Sequence, residues 1–358
     1  MSRVRVTYHT SQRAEADVVR LALASGVGGA FLIFDRSVEM RAAAIRRALD
    51  KAGVPVIGQS AIAGGERCKR PRSVANIYSG LVAAGADRAT LVVAVGGGTV
   101  TDLAGFAAAT YMRGLRWLPV ASTVLGMVDA AIGGKTGVDL TEGKNLVGAF
   151  WQPIGVVADL SALETLPPRE RRTGMAEIVK HAIVGDPGLL RVCETFDVDA
   201  SSADWPALIR RAARVKLRIV DRDPYEAGVR ATLNLGHTVG HALEFASGFR
   251  LSHGAAVAIG LRAAGLFAMN RGMWSARAHA RVLGALAHAG LAVHVERVSI
   301  SDSVAAMRRD KKRAGGTHRF VLPVRLGKVI AGIDVREPEI RRVLARCSRP
   351  AGADELAG

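Results

Sequence analysis

The order of apolar and polar positions divides the chain into halves with different periods. In the first half, short apolar runs alternate with amphipathic stretches. Phe31-Leu32-Ile33-Phe34-Asp35 and Leu91-Val92-Val93-Ala94-Val95 are apolar on both faces, as buried parallel strands are. Residues 4–8, 55–57, 116–120 and 156–159 read as further strands. Helical patterns lie between them, over 14–24 with a stop at Gly26, from Asp35 to about Ala52, over 72–85, and from the glycines at 96–98 to Thr110. Strands alternating with helices predict a doubly wound, mostly parallel sheet of Rossmann type. Pro167-Pro168 ends the alternation, and long helical patterns follow at 169–184, 205–222, 234–247, 254–271 and 276–289. A hairpin-like pair, 319–324 and 328–332, comes late. The expectation is an α/β domain over 1–167 and a mainly α-helical domain over 168–358. Their boundary should be a packed interface, a common place for a ligand cleft. The Pro/Gly/Ala-rich tail from Ser348 reads as frayed.

Composition narrows the class. The 358 residues are 49% hydrophobic and 23% charged, which is globular rather than disordered. A net charge of +17 favours nucleic acid or a small anionic substrate. Aromatics are only 5%, however, and no stretch interleaves basic with stacking residues, so no nucleic-acid partner is expected. No apolar run reaches the ~20 residues of a membrane span. Met1 to Val6 has no signal-peptide core. Cys68, Cys193 and Cys347 lie far apart without a CxxC, which suits the cytoplasm and excludes a cysteine-built zinc site.

Four stretches carry candidate chemistry. Gly96-Gly97-Gly98 stands between a strand and a helix, where glycine lets backbone approach a pyrophosphate and the helix terminus favours anions. Thr101 occupies the place where the usual dinucleotide fingerprint has its third glycine. A tight strand–helix turn is the plainer alternative. Asp35, at a strand end, is placed for a ribose or as a helix cap. In the second stretch, Asp129 precedes Gly133-Gly134-Lys135-Thr136-Gly137 and Lys144-Asn145, which suit a phosphate or a hydroxylated ligand. The third holds Glu177 and Lys180 at i and i+3, ordinarily a surface ion pair. The fourth is Asn234-Leu235-Gly236-His237-Thr238-Val239-Gly240-His241, with His253 following. Histidines at i and i+4 share a helix face, so spacing alone nominates His237 and His241 as a metal pair. Hydrogen-bonded core histidines are the alternative.

With these blocks, the sequence resembles 3-dehydroquinate synthases, of the sugar-phosphate cyclase family, from about Asp35 to Ile330. GGERCK (64–69), GGGTVTDLAGFAAATYMRG (96–114), VDAAIGGKTGVD (128–139), GKNLVGAF (143–150), GMAEIVK (174–180), LNLGHTVGHALE (233–244), LSHG (251–254) and DKK (310–312) carry the resemblance. It implies NAD and one divalent metal, usually zinc with cobalt possible, on Glu177, His237 and His253. His241 thereby moves from the metal to the substrate phosphate. NAD would lie on Asp35, Glu66, Lys69, the loop Gly98, Thr99, Val100, Thr101 and Asp102, and Ser122 and Thr123, with Lys135 and Lys144 nearby. Asp129, Lys135, Lys144, Asn145, Lys180, Lys216, Arg230, Asn234 and Lys311 or Lys312 would surround a phosphorylated substrate. Arg113 would reach the phosphate site of a neighbouring subunit, which implies a homodimer. The implied reaction oxidises a ring alcohol transiently, eliminates phosphate, returns the hydride and closes a carbocycle by an aldol step.

Lys216 and Arg230 match the pair that holds the substrate carboxylate in dehydroquinate synthases. Asp139, Ser122 and Cys68 depart from the usual Asn, Thr and aromatic. They leave room for a secondary-metabolism relative of the aminodehydroquinate or 2-epi-5-epi-valiolone synthase type. A metal-dependent NAD(P) polyol dehydrogenase is the rival from another reaction class, and it has no need of Lys216, Arg230 or Lys311/Lys312.

Overall fold

A computed structural model describes residues 7–200, 203–295, 298–309, 313–314, 317–352 and 355. Two compact units, Met1–Pro167 and Pro168–Gly358, divide the chain.

The first unit comprises β1 (Tyr8–Ser11), α1 (Ala14–Ser25), β2 (Gly29–Asp35), α2 (Glu39–Lys51), β3 (Val56–Ile62), α3 (Pro71–Ala83), β4 (Thr90–Gly96), α4 (Gly98–Thr110), β5 (Arg116–Ala121), β6 (Lys135–Val138), β7 (Val147–Phe150) and β8 (Val156–Asp159). Six strands form one sheet in the order β1-β8-β5-β4-β2-β3, every pairing parallel. Period-2 alternation sorts its side chains. Leu32 and Phe34 join Val18 of α1 and Ile45 of α2 on one face. Phe31 and Ile33 join Ile77 of α3 and Leu103 of α4 on the other. Helices on both faces make the sheet doubly wound, as the apolar runs predict. Each fully buried Leu or Ile contributes roughly 1.5–3 kcal/mol to this core.

Among the described residues the first strand is Tyr8–Ser11, and residues 4–6 of the one expected over 4–8 lie outside them. Its register is set by β8, Tyr8 opposite Val156 and Ser11 opposite Asp159. The glycine-rich second motif also differs from a plain ligand loop. Gly133 and Gly134 turn with φ of 99° and 66°, and Lys135–Val138 then pairs antiparallel with Val147–Phe150. Gly137 and Gly148 face each other across that ladder, where a Cβ on Gly148 would lie 2.2 Å from the Thr136 carbonyl. Part of this glycine density serves close strand pairing.

The second unit comprises α5 (Pro168–Gly185), α6 (Pro187–Cys193), α7 (Trp205–Arg222), α8 (His237–Ala246), α9 (His253–Met269), α10 (Ala276–His288), α11 (Ile300–Arg309), β9 (Arg313–Ala314), β10 (Thr317–Arg325), β11 (Lys328–Arg336) and α12 (Glu337–Cys347). α9 is buried at Gly254 and over Ala256–Ala268, as a helix apolar nearly all round must be, and α5 is buried over Thr173–Val184 although it carries Glu177, Lys180 and His181 there. The late hairpin is present as β10 and β11, with two register shifts. Helix α8 starts at His237, three residues after the expected 234. Gly236, at φ 78°, breaks the backbone, and Asn234 ends a separate 3-10 turn, Val229–Asn234.

Of the tail expected to fray, residues 348–352 and 355 are described, and Glu355 is anchored. Glu355 is 2% exposed. Its two oxygens accept from Nε and Nη2 of Arg262 at 2.8 and 2.9 Å. Arg262 is a lone cation in apolar α9, and a buried charge persists only when paired.

Candidate active site

Three helices of the second unit converge on one carboxylate. Glu177, in the middle of α5, is 0% exposed, and Lys180, 1% exposed, pairs with its Oε2. The i,i+3 pair is therefore a core pair and not the surface pair that its spacing ordinarily means. The reason is the helix, which presents no solvent face at those positions.

His237 opens α8. Its Nδ1 lies 3.1 Å from the Leu235 carbonyl, a contact that only a protonated Nδ1 satisfies. Its Nε2 faces Glu177 Oε1 at 3.4 Å. His253 opens α9, where the Ser252 hydroxyl accepts from Ala255 N at 3.4 Å. Its Nε2 lies 3.1 Å from the same Glu177 oxygen. Donor atoms of Glu177, His237 and His253 all fall within 4.8 Å of one another. Two imidazole nitrogens converging on one buried carboxylate form a donor set that fits a divalent ion. Burial lowers the His253 pKa, but hydrogen bonds to Glu177 and Glu244 prevail and push it up to about 10. Without a metal cation, the two carboxylates retain a proton there.

Glycines bring the helices close enough. A Cβ on Gly260 of α9 would sit 1.9 Å from the Gly236 carbonyl ahead of α8. One on Gly254 would sit 2.5 Å from Thr173 of α5. Both sites need backbone-to-backbone approach.

His241 also belongs to this cluster. Its ring lies 5.2 Å from that of His237 and 6.3 Å from that of His253. With Glu244 and His253 it forms a second donor group. Arg230 is 1% exposed, its Nη1 donating to the Pro224 carbonyl. Asp223 shapes the loop that carries it, accepting from Ala227, Gly228 and Arg230 backbone N–H groups at 2.8–2.9 Å. Lys216 is buried on α7. Asn234 donates to Glu226 Oε1 at 2.6 Å, with Glu226 at φ 58°. Glu226 and Glu244 were not among the sequence candidates. Glu244 had a faint signal, as the one carboxylate in α8, but Glu226 sits in a loop with no periodicity.

In the first unit, β4 delivers Gly96-Gly97-Gly98 to the start of α4, capped by Gly97. Gly97 also fits Thr123, since a Cβ there would come within 3.1 Å of that side chain. Thr101 is buried, its hydroxyl donating to Gly98 O at 3.0 Å. The Ser122 N–H bonds Gly96 O at 2.9 Å. Beside this turn lies a charged network. Lys69, 3% exposed, donates to Asp102 Oδ2 and Asn145 Oδ1, each at 2.5 Å. Lys144 pairs with Glu66 at 2.8 Å, and Thr99 donates to Glu66 at 3.4 Å. Burial pulls the Lys69 ammonium down, but Asp102, Glu66 and Asp139 outweigh it and hold the pKa above the ordinary range. Burial also raises the Asp139 carboxyl.

Asp35 caps the following turn, accepting from Ser37 N at 2.9 Å and Ser37 Oγ at 2.8 Å. Asp129 lies in a π-helical turn, Gly126–Ala130, and Lys135 is exposed at the start of β6. Arg113 is exposed at φ 65°, just after α4. Lys311 and Lys312 lie outside the described residues.

Known proteins resemble this chain along nearly its whole length. The family described as 3-dehydroquinate synthase N-terminal matches residues 59–173. The one described as 3-dehydroquinate synthase C-terminal matches residues 174–313. A 3-dehydroquinate synthase of Symbiobacterium thermophilum is 44% identical over 319 residues, 87% of this chain and 88% of its own. Among solved structures, ValA, a 2-epi-5-epi-valiolone synthase of Streptomyces hygroscopicus subsp. jinggangensis with NAD+ and Zn2+ bound, matches with a TM-score of 0.86 and 27% identity, over 97% of this chain and 98% of that one. A 2-deoxy-scyllo-inosose synthase complexed with carbaglucose-6-phosphate, NAD+ and Co2+ matches with a TM-score of 0.86 and 26% identity, over 94% and 95%.

Proposed function

The chain belongs to the 3-dehydroquinate synthase family, and from that premise we propose how its residues divide the family's work. The reaction is the cyclisation of 3-deoxy-D-arabino-heptulosonate 7-phosphate to 3-dehydroquinate with elimination of inorganic phosphate, on the shikimate route to aromatic amino acids. The enzyme is a carbon–oxygen lyase that uses NAD and a divalent metal.

Glu177, His237 and His253 hold the metal, zinc in this reading. The observation that carries it is the convergence of two imidazole Nε2 atoms on one buried carboxylate oxygen. When bound, the metal polarises a substrate oxygen and NAD accepts and later returns one hydride, so no coenzyme is consumed. Asp35 takes a ribose, while Gly98 and Thr99 offer backbone N–H groups at the α4 terminus to the pyrophosphate, with Val100 and Thr101 continuing the same first turn. Glu66, Lys69, Asp102, Ser122 and Thr123 line the same cofactor.

The chain's own side chains do the rest. Lys180 offsets the charge of Glu177 in the core. Arg230, with Lys216, grips the substrate carboxylate through its planar fork. Asn234 and His241 bind the phosphate end. Lys135, Lys144, Asn145 and Lys311 or Lys312 stabilise the leaving-group charge. Asp129 holds a substrate hydroxyl. Arg113 completes the phosphate site of a second copy in a homodimer. Incubation with 3-deoxy-D-arabino-heptulosonate 7-phosphate, NAD and zinc tests the reading. Phosphate release without net NADH is expected. Steady NADH accumulation without phosphate would make the chain a dehydrogenase instead.

A further inference from the structure

His253 has carboxylates on both sides of its ring. Nε2 faces Glu177 at 3.1 Å, and Nδ1 faces Glu244 Oε2 at 3.5 Å. The Glu244 side chain is 3% exposed, in a helix otherwise apolar from Ala242 to Ala246. Burying a carboxylate there costs several kcal/mol unless a hydrogen-bonding partner answers it. Its backbone is fixed as well. The Glu244 carbonyl accepts from Ser247 Oγ at 2.8 Å and from Phe249 N at 2.9 Å, closing the turn that leads to His253.

Resting on the metal reading above, we propose that Glu244 is the positioning residue of the metal site. It takes the Nδ1–H of His253, fixes that tautomer, and aims Nε2 at the point shared with Glu177 and His237. An anionic acceptor on Nδ1 also makes Nε2 the stronger donor. His241, Glu244 and His253 can be drawn as a second metal site. That site would need the Nδ1 of His253 as a lone-pair donor, while the first site needs Nε2. One neutral imidazole supplies one such nitrogen, so Glu244 serves as acceptor and not as a second site's ligand.

Zinc dissociation constants, measured on the full chain by competition with a chromophoric chelator, test this. Melting temperatures of the metal-free proteins and absorption spectra of the Co2+-loaded ones are taken alongside. The parent should bind one zinc. Glu244→Gln should bind it about 10- to 100-fold more weakly, with a shifted Co2+ spectrum. Glu244→Asp, which keeps the charge, should fall between the two. Zinc binding by Glu244→Gln equal to the parent's overturns the positioning role. If Glu244→Gln melts early, Glu244→Asp decides: equal losses in both variants overturn the proposal, and a smaller loss in Asp upholds it. A parent that binds no zinc overturns the metal reading and this inference with it.

Discussion

The two units assemble their candidate sites in opposite ways. In the first, the turn Gly96-Gly97-Gly98 and the start of α4 are contiguous in sequence, and charges from farther off pair around them: Lys69 with Asp102, Lys144 with Glu66. In the second, Glu177 lies 76 positions from His253. Three helices must pack before the site exists. The locally encoded turn and helix terminus tolerate small changes gradually, because they form from contiguous residues. A site built by packing is all or none, since it stands on glycine contacts and on buried charges paired across the unit.

This contrast can be broken by substitution. The largest effect is expected at Glu355. Burial raises its carboxyl, but Arg262 and Arg346 outweigh that and bring the pKa from 4.5 down to about 2. A depressed folded-state pKa gives stability that is present above about pH 4.5 and lost as pH falls through 2. Urea unfolding should find Glu355→Gln about 3 kcal/mol less stable than the parent near neutrality. The gap should close towards pH 2. A gap independent of pH would show that the ion pair with Arg262 is not its source.

Gly260→Ala comes next. Its Cβ meets the Gly236 carbonyl at 1.9 Å, so α8 and α9 must part. A loss of roughly 1–3 kcal/mol is expected, with weaker zinc binding and an unchanged KM for NAD. An NAD effect as large as the zinc effect would erase the distinction between the units. The smallest effect is at Lys69. Lys69→Met should raise the KM for NAD by about tenfold, the worth of one charge-assisted hydrogen bond, and leave metal content untouched.

How much could be read from sequence follows the same divide. β2 and β4 were plain because both faces are buried, which leaves unbroken apolar runs. β6 and β7 were hidden because glycines that permit close strand pairing look like glycines that admit a phosphate. α12 carries Ile340, Val343, Leu344 and Cys347 on one buried face, but its Glu and Arg content masked the period. Burial of Glu177 was unreadable from spacing, which orders residues along one helix and says nothing of what covers it. The likeness to a family supplied the grouping of Glu177 with His237 and His253, and the packing of α5, α8 and α9 gives it a physical cause. Glu226 and Glu244 show the limit. Single carboxylates have no period, and only the fold reveals what they face.

His237 and His241 are the sharpest test, because helical spacing makes them equivalent and the three-helix packing does not. Zinc content of purified His237→Ala and His241→Ala, measured against the parent, separates the two accounts. Loss of the metal in His237→Ala with retention in His241→Ala is the predicted result. Retention in His237→Ala, or equal loss in both, would contradict the assignment of the metal to Glu177, His237 and His253.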